Sequence, residues 1–156
     1  MSRTAAVGRR RMSVGELAVW RALVDTTDEL RRRLGNQLAE ESGLSAADYR
    51  VLLALSEADG KRSRSSRLAE QMEWERSRLS HQLGRMEKRG LIRREDCATD
   101  NRGAEVVLTA EGADAFRKAT APHTKAIKKH FADALTPAQF DALEDILQSL
   151  ERHLQQ

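Results

Sequence analysis

Apolar residues recur at three- and four-residue steps along most of this chain, and only one stretch breaks the rhythm. Leu23, Leu30, Leu34 and Leu38, with Thr27 between them, form one such stripe and predict a long helix over residues 13–41. Gly43 ends it, as glycine commonly does just past a helix. Ser45-Ala46-Ala47-Asp48 is a cap followed by an acid in the first turn. The helix it opens has Val51, Leu52 and Leu55 as core residues and stops before Asp59-Gly60. A short helix around Ser65–Met72 turns Leu68, Ala69 and Met72 inward, and a further helix over residues 75–89 is closed by Gly90. There the period changes. Leu91-Ile92-Arg93-Arg94 and Glu105-Val106-Val107-Leu108 are strand candidates, and the polar run Asp96–Gly103 between them makes a hairpin. Thr109 caps a helix over 110–134, which Pro122 should kink by removing one backbone donor. Thr136-Pro137-Ala138-Gln139 is a capping box with proline at the first helical position. In the helix it opens, Phe140, Leu143, Leu147, Leu150 and Leu154 step 3-4-3-4. The pattern is that of a mainly α fold with a small β-hairpin.

On the helix over 75–89, Leu79, Leu83 and Met86 share one face, and at 100° per residue the opposite face carries Ser77, His81, Gly84 and Lys88. Arg78 and Arg85 flank that face on one side and Ser80 on the other. Such a face suits a major groove. Arginine and histidine offer donors to guanine, serine fits either base edge, and glycine lets the backbone come close. Arg76, Lys88 and Arg89 would reach phosphates, which position a helix without reading sequence. A solvated helix face is the commoner use of such a charge run. The context favours DNA: a short helix precedes, a tight turn at Glu73-Trp74 intervenes and a basic hairpin follows, which is a helix-turn-helix with a wing.

The charge map agrees. Residues 60–94 hold eleven cations against four anions, a surplus of seven in a chain whose net charge is +3, so the remainder is acidic by four. A basic centre between acidic flanks is the footprint of a phosphate-binding module. Of the 156 residues 40% are hydrophobic, enough for a core, and no apolar run approaches the roughly 20 residues of a membrane span. The basic start MSRTAAVGRRR lacks the apolar stretch of a secretory signal and reads as a disordered arm over 1–12, with Arg3, Arg9, Arg10 and Arg11 able to touch a polyanion. One cysteine, Cys97, excludes an intrachain disulfide and fits a cytoplasmic protein. No nucleophile elbow, phosphate-cradling glycine loop or zinc spacing is present, which argues against an enzyme and against a bound cofactor or metal.

The run from Leu68 to Gly112 resembles the MarR family of bacterial winged-helix transcription regulators. The matching pieces are Leu68-Ala69, SRLSHQLGRMEKRGLIRR over 77–94, Asp100-Asn101-Arg102, and Val107-Leu108-Thr109-Ala110-Glu111-Gly112. A looser likeness covers 14–154. The resemblance implies a winged helix-turn-helix lobe over 44–109 and a helical dimerisation region from 13–43 and 110–156. It implies double-stranded DNA as partner and a homodimer on a pseudo-palindromic operator, probing half-sites about 34 Å apart. Such regulators are most often repressors, and many are released by a small-molecule effector. Residues 75–89 match the recognition helix. The resemblance and the wheel together make Arg76, Ser77, Arg78, Ser80, His81 and Arg85 its DNA-contacting candidates, and Arg93, Arg94, Asp100 and Arg102 those of the wing. Arg102 matches the wing-tip arginine that enters the minor groove, and Asp100 the aspartate that braces it. His81 departs from the family's frequent arginine, and histidine is a weaker, pH-dependent donor.

For a sensor the sequence offers little. Cys97 lies in the wing, away from the family's peroxide-sensing position, and reads as an incidental thiol. His123 and His130, seven apart, nearly share a helical face, but lack a second cysteine and convergent carboxylates. Trp20 and Tyr49 suit an effector pocket or, more commonly, core. Winged helices also serve as protein-interaction modules or architectural DNA-binding modules, so the fold alone does not decide between these and a sequence-specific regulator.

Overall fold

The computed structural model describes residues 11–96 and 103–156. The arm residues Arg3, Arg9 and Arg10 and the wing-tip residues Cys97, Asp100 and Arg102 lie outside them. The chain divides into two units, Met1–Arg33 and Leu34–Gln156. The first contains the opening turns of α1 (Val14–Ser42). Ser13 and Glu16 cap it reciprocally, the Glu16 carboxylate accepting from the Ser13 amide at 2.7 Å and the Ser13 hydroxyl accepting from the Glu16 amide at 3.1 Å. Val14, Leu17, Val19, Trp20 and Leu23 are exposed. Trp20 is 56% exposed, so the expectation of a core tryptophan does not hold in the single chain.

The second unit carries the core. Leu38 and Leu44 bracket the end of α1, and α2 (Ala46–Glu57) adds Val51, Leu52 and Leu55. The start of α2 is the capping box expected: the Ser45 hydroxyl accepts from the Asp48 amide at 3.0 Å and the Asp48 carboxylate accepts from the Ser45 amide at 2.9 Å. The helices α3 (Ser65–Met72) and α4 (Arg76–Lys88) bury Leu68, Ala69 and Met72, and Leu79, Leu83 and Met86, as their spacing requires. Gly90, at φ +75°, turns the chain out of α4 in a left-handed conformation that costs glycine little.

The sheet has three strands, not the two of the expected hairpin. β2 (Ile92–Asp96) and β3 (Ala104–Leu108) pair antiparallel with Ile92 opposite Leu108, and a short β1 (Arg62–Arg64) joins the far side of β3 with Arg62 opposite Val107. The order β1-β3-β2 places Val106 and Val107 on the central strand, where both are buried. With α2, α3 and α4 this sheet makes a winged helix-turn-helix.

The helix α5 (Ala110–His130) leaves the lobe at a close contact. The Thr109 hydroxyl accepts from the Gly112 amide at 2.9 Å and lies 2.6 Å from the Gly90 carbonyl and 2.9 Å from that of Leu91. A Cβ on Gly112 would stand 1.9 Å from the Leu91 carbonyl oxygen, so only glycine fits there. That is the physical reason for the Leu-Thr-x-x-Gly spelling at 108–112. The helix continues through Pro122 and ends at His130, four residues short of expectation, because the chain tightens into a 3₁₀ turn over Ala132–Ala134. Tyr49 is half-buried against Phe116 and His123, with ring centroids 5.1 and 4.7 Å away. The last helix, α6 (Pro137–Leu154), opens on the predicted Thr136–Gln139 capping box. It buries no residue. Phe140 and Leu143 are half-buried, whereas Ile146, Leu147, Leu150 and Leu154 are exposed.

Candidate nucleic-acid interface

The turn between α3 and α4 sets the stage. Glu73 takes a left-handed conformation (φ 54°, ψ 40°), and the Trp74 amide donates to the Ala69 carbonyl at 2.9 Å. Trp74 is 8% exposed and sits five residues before Leu79, the spacing at which residues flanking a helix start pack over each other. No side chain caps α4, and its first turn holds no acid. The amides there face outward with the positive end of the helix dipole, which suits a phosphate oxygen.

Leu79, Leu83 and Met86 anchor the back of α4 in the core, and Gln82 is buried among them. Every recognition-helix residue singled out from the sequence is exposed: Arg76, Ser77, Arg78, Ser80, His81 and Arg85. Arg93 and Arg94 of β2 are exposed as well, whereas Asp100 and Arg102 fall outside the described residues.

The cations of this surface differ in how they are held. The Arg78 guanidinium lies 4.2 Å from the Trp74 ring centroid, and that of Arg50 lies 5.5 Å from it. Arg85 donates to the Gln82 side-chain oxygen, while the Gln82 amide donates to Asp48 at 2.6 Å. Arg89, expected to reach a phosphate, turns instead toward the end of α1. It donates to the Asp48 carboxylate at 2.7 Å and to the Gly43 carbonyl at 2.8 Å. Asp48, 3% exposed, therefore accepts from its own cap, from Gln82 and from Arg89, which ties α4 to the start of α2. Removing an acceptor so placed strands buried donors.

Arg94 is committed too. Its backbone amide, Nε and Nη2 all donate to the Glu87 carboxylate, at 2.9, 2.9 and 2.8 Å, joining β2 to α4. The amide and guanidinium of Arg94 hold the Glu87 carboxyl below the usual carboxylate range. Arg93 donates to Glu95 at 2.8 Å and holds its carboxyl low as well. Arg62 of β1 pairs with Glu105 at 3.1 Å and lies 3.7 Å from Glu95.

Sequence reasoning did not find β1, the Asp48–Gln82–Arg89 network or the Arg94–Glu87 brace. One of these had a signal: Gln82 falls, on a helical wheel, inside the arc of Leu79, Leu83 and Met86, and a polar residue there demands a buried partner. The other two join positions with no local spacing rule. Elsewhere, His130 Nε2 lies 3.3 Å from the Gln37 side-chain oxygen, and His123 packs on Tyr49, so each histidine has its own surroundings. Among the described residues no helix is long and apolar enough to cross a membrane.

The chain is similar to known proteins along most of its length. The MarR family model matches residues 42–103. The structure of AbsC, a MarR family transcriptional regulator from Streptomyces coelicolor, is 36% identical over 94% of this chain and 98% of that one, with a TM-score of 0.83. Sco3205, a MarR family transcriptional regulator from the same organism solved in complex with DNA, is 35% identical over 94% of this chain and 92% of that one, with a TM-score of 0.86. A C80S mutant of MarR from E. coli complexed with operator DNA shares the fold at 20% identity, covering 90% and 99% of the two chains, with a TM-score of 0.76. Among curated proteins nothing matches the chain.

Proposed function

Because this chain belongs to the MarR family of transcriptional regulators, we propose that it is a cytoplasmic, dimeric repressor, not an enzyme, that binds a pseudo-palindromic operator in double-stranded DNA. The observation that carries this reading is α4: a helix fixed from behind by Leu79, Leu83 and Met86 that shows solvent a face of Arg76, Ser77, Arg78, Ser80, His81 and Arg85. Sco3205, solved with DNA, supports it. Ser77, Arg78, Ser80 and His81 face base edges, and Arg76 and Arg85 lie beside them toward the backbone. Arg93 contacts the backbone from the wing, and the family resemblance assigns Arg102 and Asp100, outside the described residues, to the minor-groove contact. Arg94 serves the interface by bracing β2 on α4, since Glu87 already takes its donors.

The dimer rests on the apolar residues that the single chain leaves exposed, Leu17, Val19, Trp20 and Leu23 in α1 and Ile146, Leu147, Leu150 and Leu154 in α6. Release by a small-molecule effector is part of the proposal. An open cleft of about 1070 Å³, lined by residues including Gln37, Pro122, Lys125, Ala126 and Lys129, has room for one.

The test is selection of genomic DNA fragments by the purified protein, followed by sequencing. Enrichment of one short inverted repeat, with affinity falling steeply as salt rises, is the expected result. Binding without sequence preference would make the protein an architectural module. No binding at low salt would make it a protein-interaction winged helix.

A further inference from the structure

The arginines of the recognition surface are held by two different chemistries. Arg85, Arg89 and Arg94 are held by their N–H edges, on Gln82, on Asp48 with Gly43, and on Glu87. Arg78 is held over an aromatic ring. Its guanidinium lies over the Trp74 ring at 4.2 Å, and among the described residues its N–H donors make no hydrogen bond.

The distinction matters for reading DNA. A guanidinium is planar, and its donors point outward in that plane. An arginine held by its edge has committed part of the donor set that would recognise a base. One stacked on an aromatic ring keeps its edge open, and that edge matches the O6 and N7 acceptors of guanine. The ring also restricts a long side chain before DNA arrives, so less rotamer freedom is lost on binding.

Trp74 is well placed for this. It is nearly buried in the turn, its amide is bonded to Ala69, and its ring belongs to the core cluster. A ring fixed from behind is a rigid platform. Arg50 approaches the same ring at 5.5 Å and donates to the Met72 carbonyl at 3.4 Å, which ties α2 to the turn.

We propose that Trp74 is the positioning residue for base readout, presenting the Arg78 guanidinium edge to a guanine in the operator. This rests on the function proposed above and names the residue through which Arg78 acts. Arg78 thereby becomes the chief base-reading arginine of α4, and Arg85 is secondary.

The experiment is a double-mutant cycle on the full chain. Trp74→Phe, Trp74→Leu, Arg78→Ala and Trp74→Leu/Arg78→Ala are measured against the selected operator and against a set of its single-base variants, with circular dichroism as a folding control. Trp74→Leu should weaken discrimination at one guanine position by about threefold to tenfold. Trp74→Phe, which keeps a ring, should restore most of it. In the Arg78→Ala background Trp74→Leu should cost no further discrimination, because the platform acts only through Arg78. A second readout needs no DNA: the Arg78 Nε–H resonance should carry a ring-current shift that Trp74→Leu abolishes, and Trp74→Phe covers the case in which the leucine variant does not fold.

Equal losses in both backgrounds would make Trp74 a structural residue and overturn the proposal while leaving the DNA-binding function in place. Tighter binding by Trp74→Leu would show that the ring withholds Arg78 from DNA, and would also overturn it. Absence of any sequence preference in the parent chain would overturn both readings together.

Discussion

The helices of the lobe from α2 to β3 and the terminal helix α6 both set apolar residues at three- and four-residue steps among charged ones, yet they end in opposite conditions. In the lobe nearly every periodic apolar residue is buried: Leu52, Leu55, Leu68, Leu79, Leu83, Met86, Ile92 and Val106 are all closed off from solvent. In α6 none is, and Leu150 and Leu154 remain 46% and 82% exposed. The same 3-4 spacing thus marks two different commitments. A periodic stripe states that a surface must be covered but does not say by what. The lobe covers its stripes with its own elements, and α6 is covered in the proposed dimer by a second chain.

The sharpest way to break this contrast is to charge the α6 stripe. Leu147→Glu with Leu150→Glu should yield a monomer at micromolar concentration by sedimentation equilibrium, and operator affinity should fall by a hundredfold or more as two-site binding is lost. The near-ultraviolet signature of the lobe should be unchanged. A variant that stays dimeric would place the interface elsewhere. Leu68→Ala tests the other side. It removes a fully buried side chain from α3 and should cost about 2–5 kcal/mol in denaturant unfolding, whereas Leu150→Ala should cost far less at concentrations where only monomer is present.

A smaller effect is expected at Asp48. Asp48→Ala leaves the Gln82 amide, the Ser45 backbone amide and the Arg89 Nη1 donor without their acceptor, and should destabilise by about 2 kcal/mol. The Arg89 share is discounted because that side chain is 43% exposed and water can replace the carboxylate. Urea midpoints of Asp48→Ala and Asp48→Asn, the latter keeping an acceptor, would separate the two contributions.

The smallest effect concerns His123. Burial lowers its pKa from the usual 6.5, and its Nδ1 is buried with no hydrogen-bond partner among the described residues. The native state therefore prefers the neutral ring. Below about pH 6.5 the unfolded chain takes up the proton first, so this stability is present at neutral pH and is lost as pH falls from 6.5 through the depressed native value. His123→Phe should flatten the change in unfolding free energy between pH 7.5 and 5.5 relative to the parent. An identical pH dependence in both proteins would remove His123 as its source.

How much of this was legible in the sequence follows the range of the interaction. Helix boundaries came from local chemistry, and the Ser45–Asp48 and Thr136–Gln139 capping boxes stand where their spelling put them. The buried face of α4 also followed from spacing, because Leu79, Leu83 and Met86 lie within two turns of one another. What escaped is long-range. β1 is three residues, too short for alternation to register, and it exists because Arg62–Arg64 meets a strand more than forty positions away. Arg89 and Arg94 look like free cations in the sequence and become ties only when Asp48 and Glu87 are brought to them. Charge count therefore points to the proposed DNA-facing side but overstates how many of its arginines are available.

The contact at Gly112 has a mechanical consequence. A helix of α5's 21 residues is about 31 Å long. Its first turn rests directly on the Leu91 carbonyl, so the take-off angle is set by an atom-to-atom stop and not by a compressible side chain. Tilting a rod of that length by about 5° carries its far end roughly 3 Å, close to the rise of one base pair along DNA. In the proposed dimer, Gly112 would thus act as the fulcrum that calibrates the span between two reading heads.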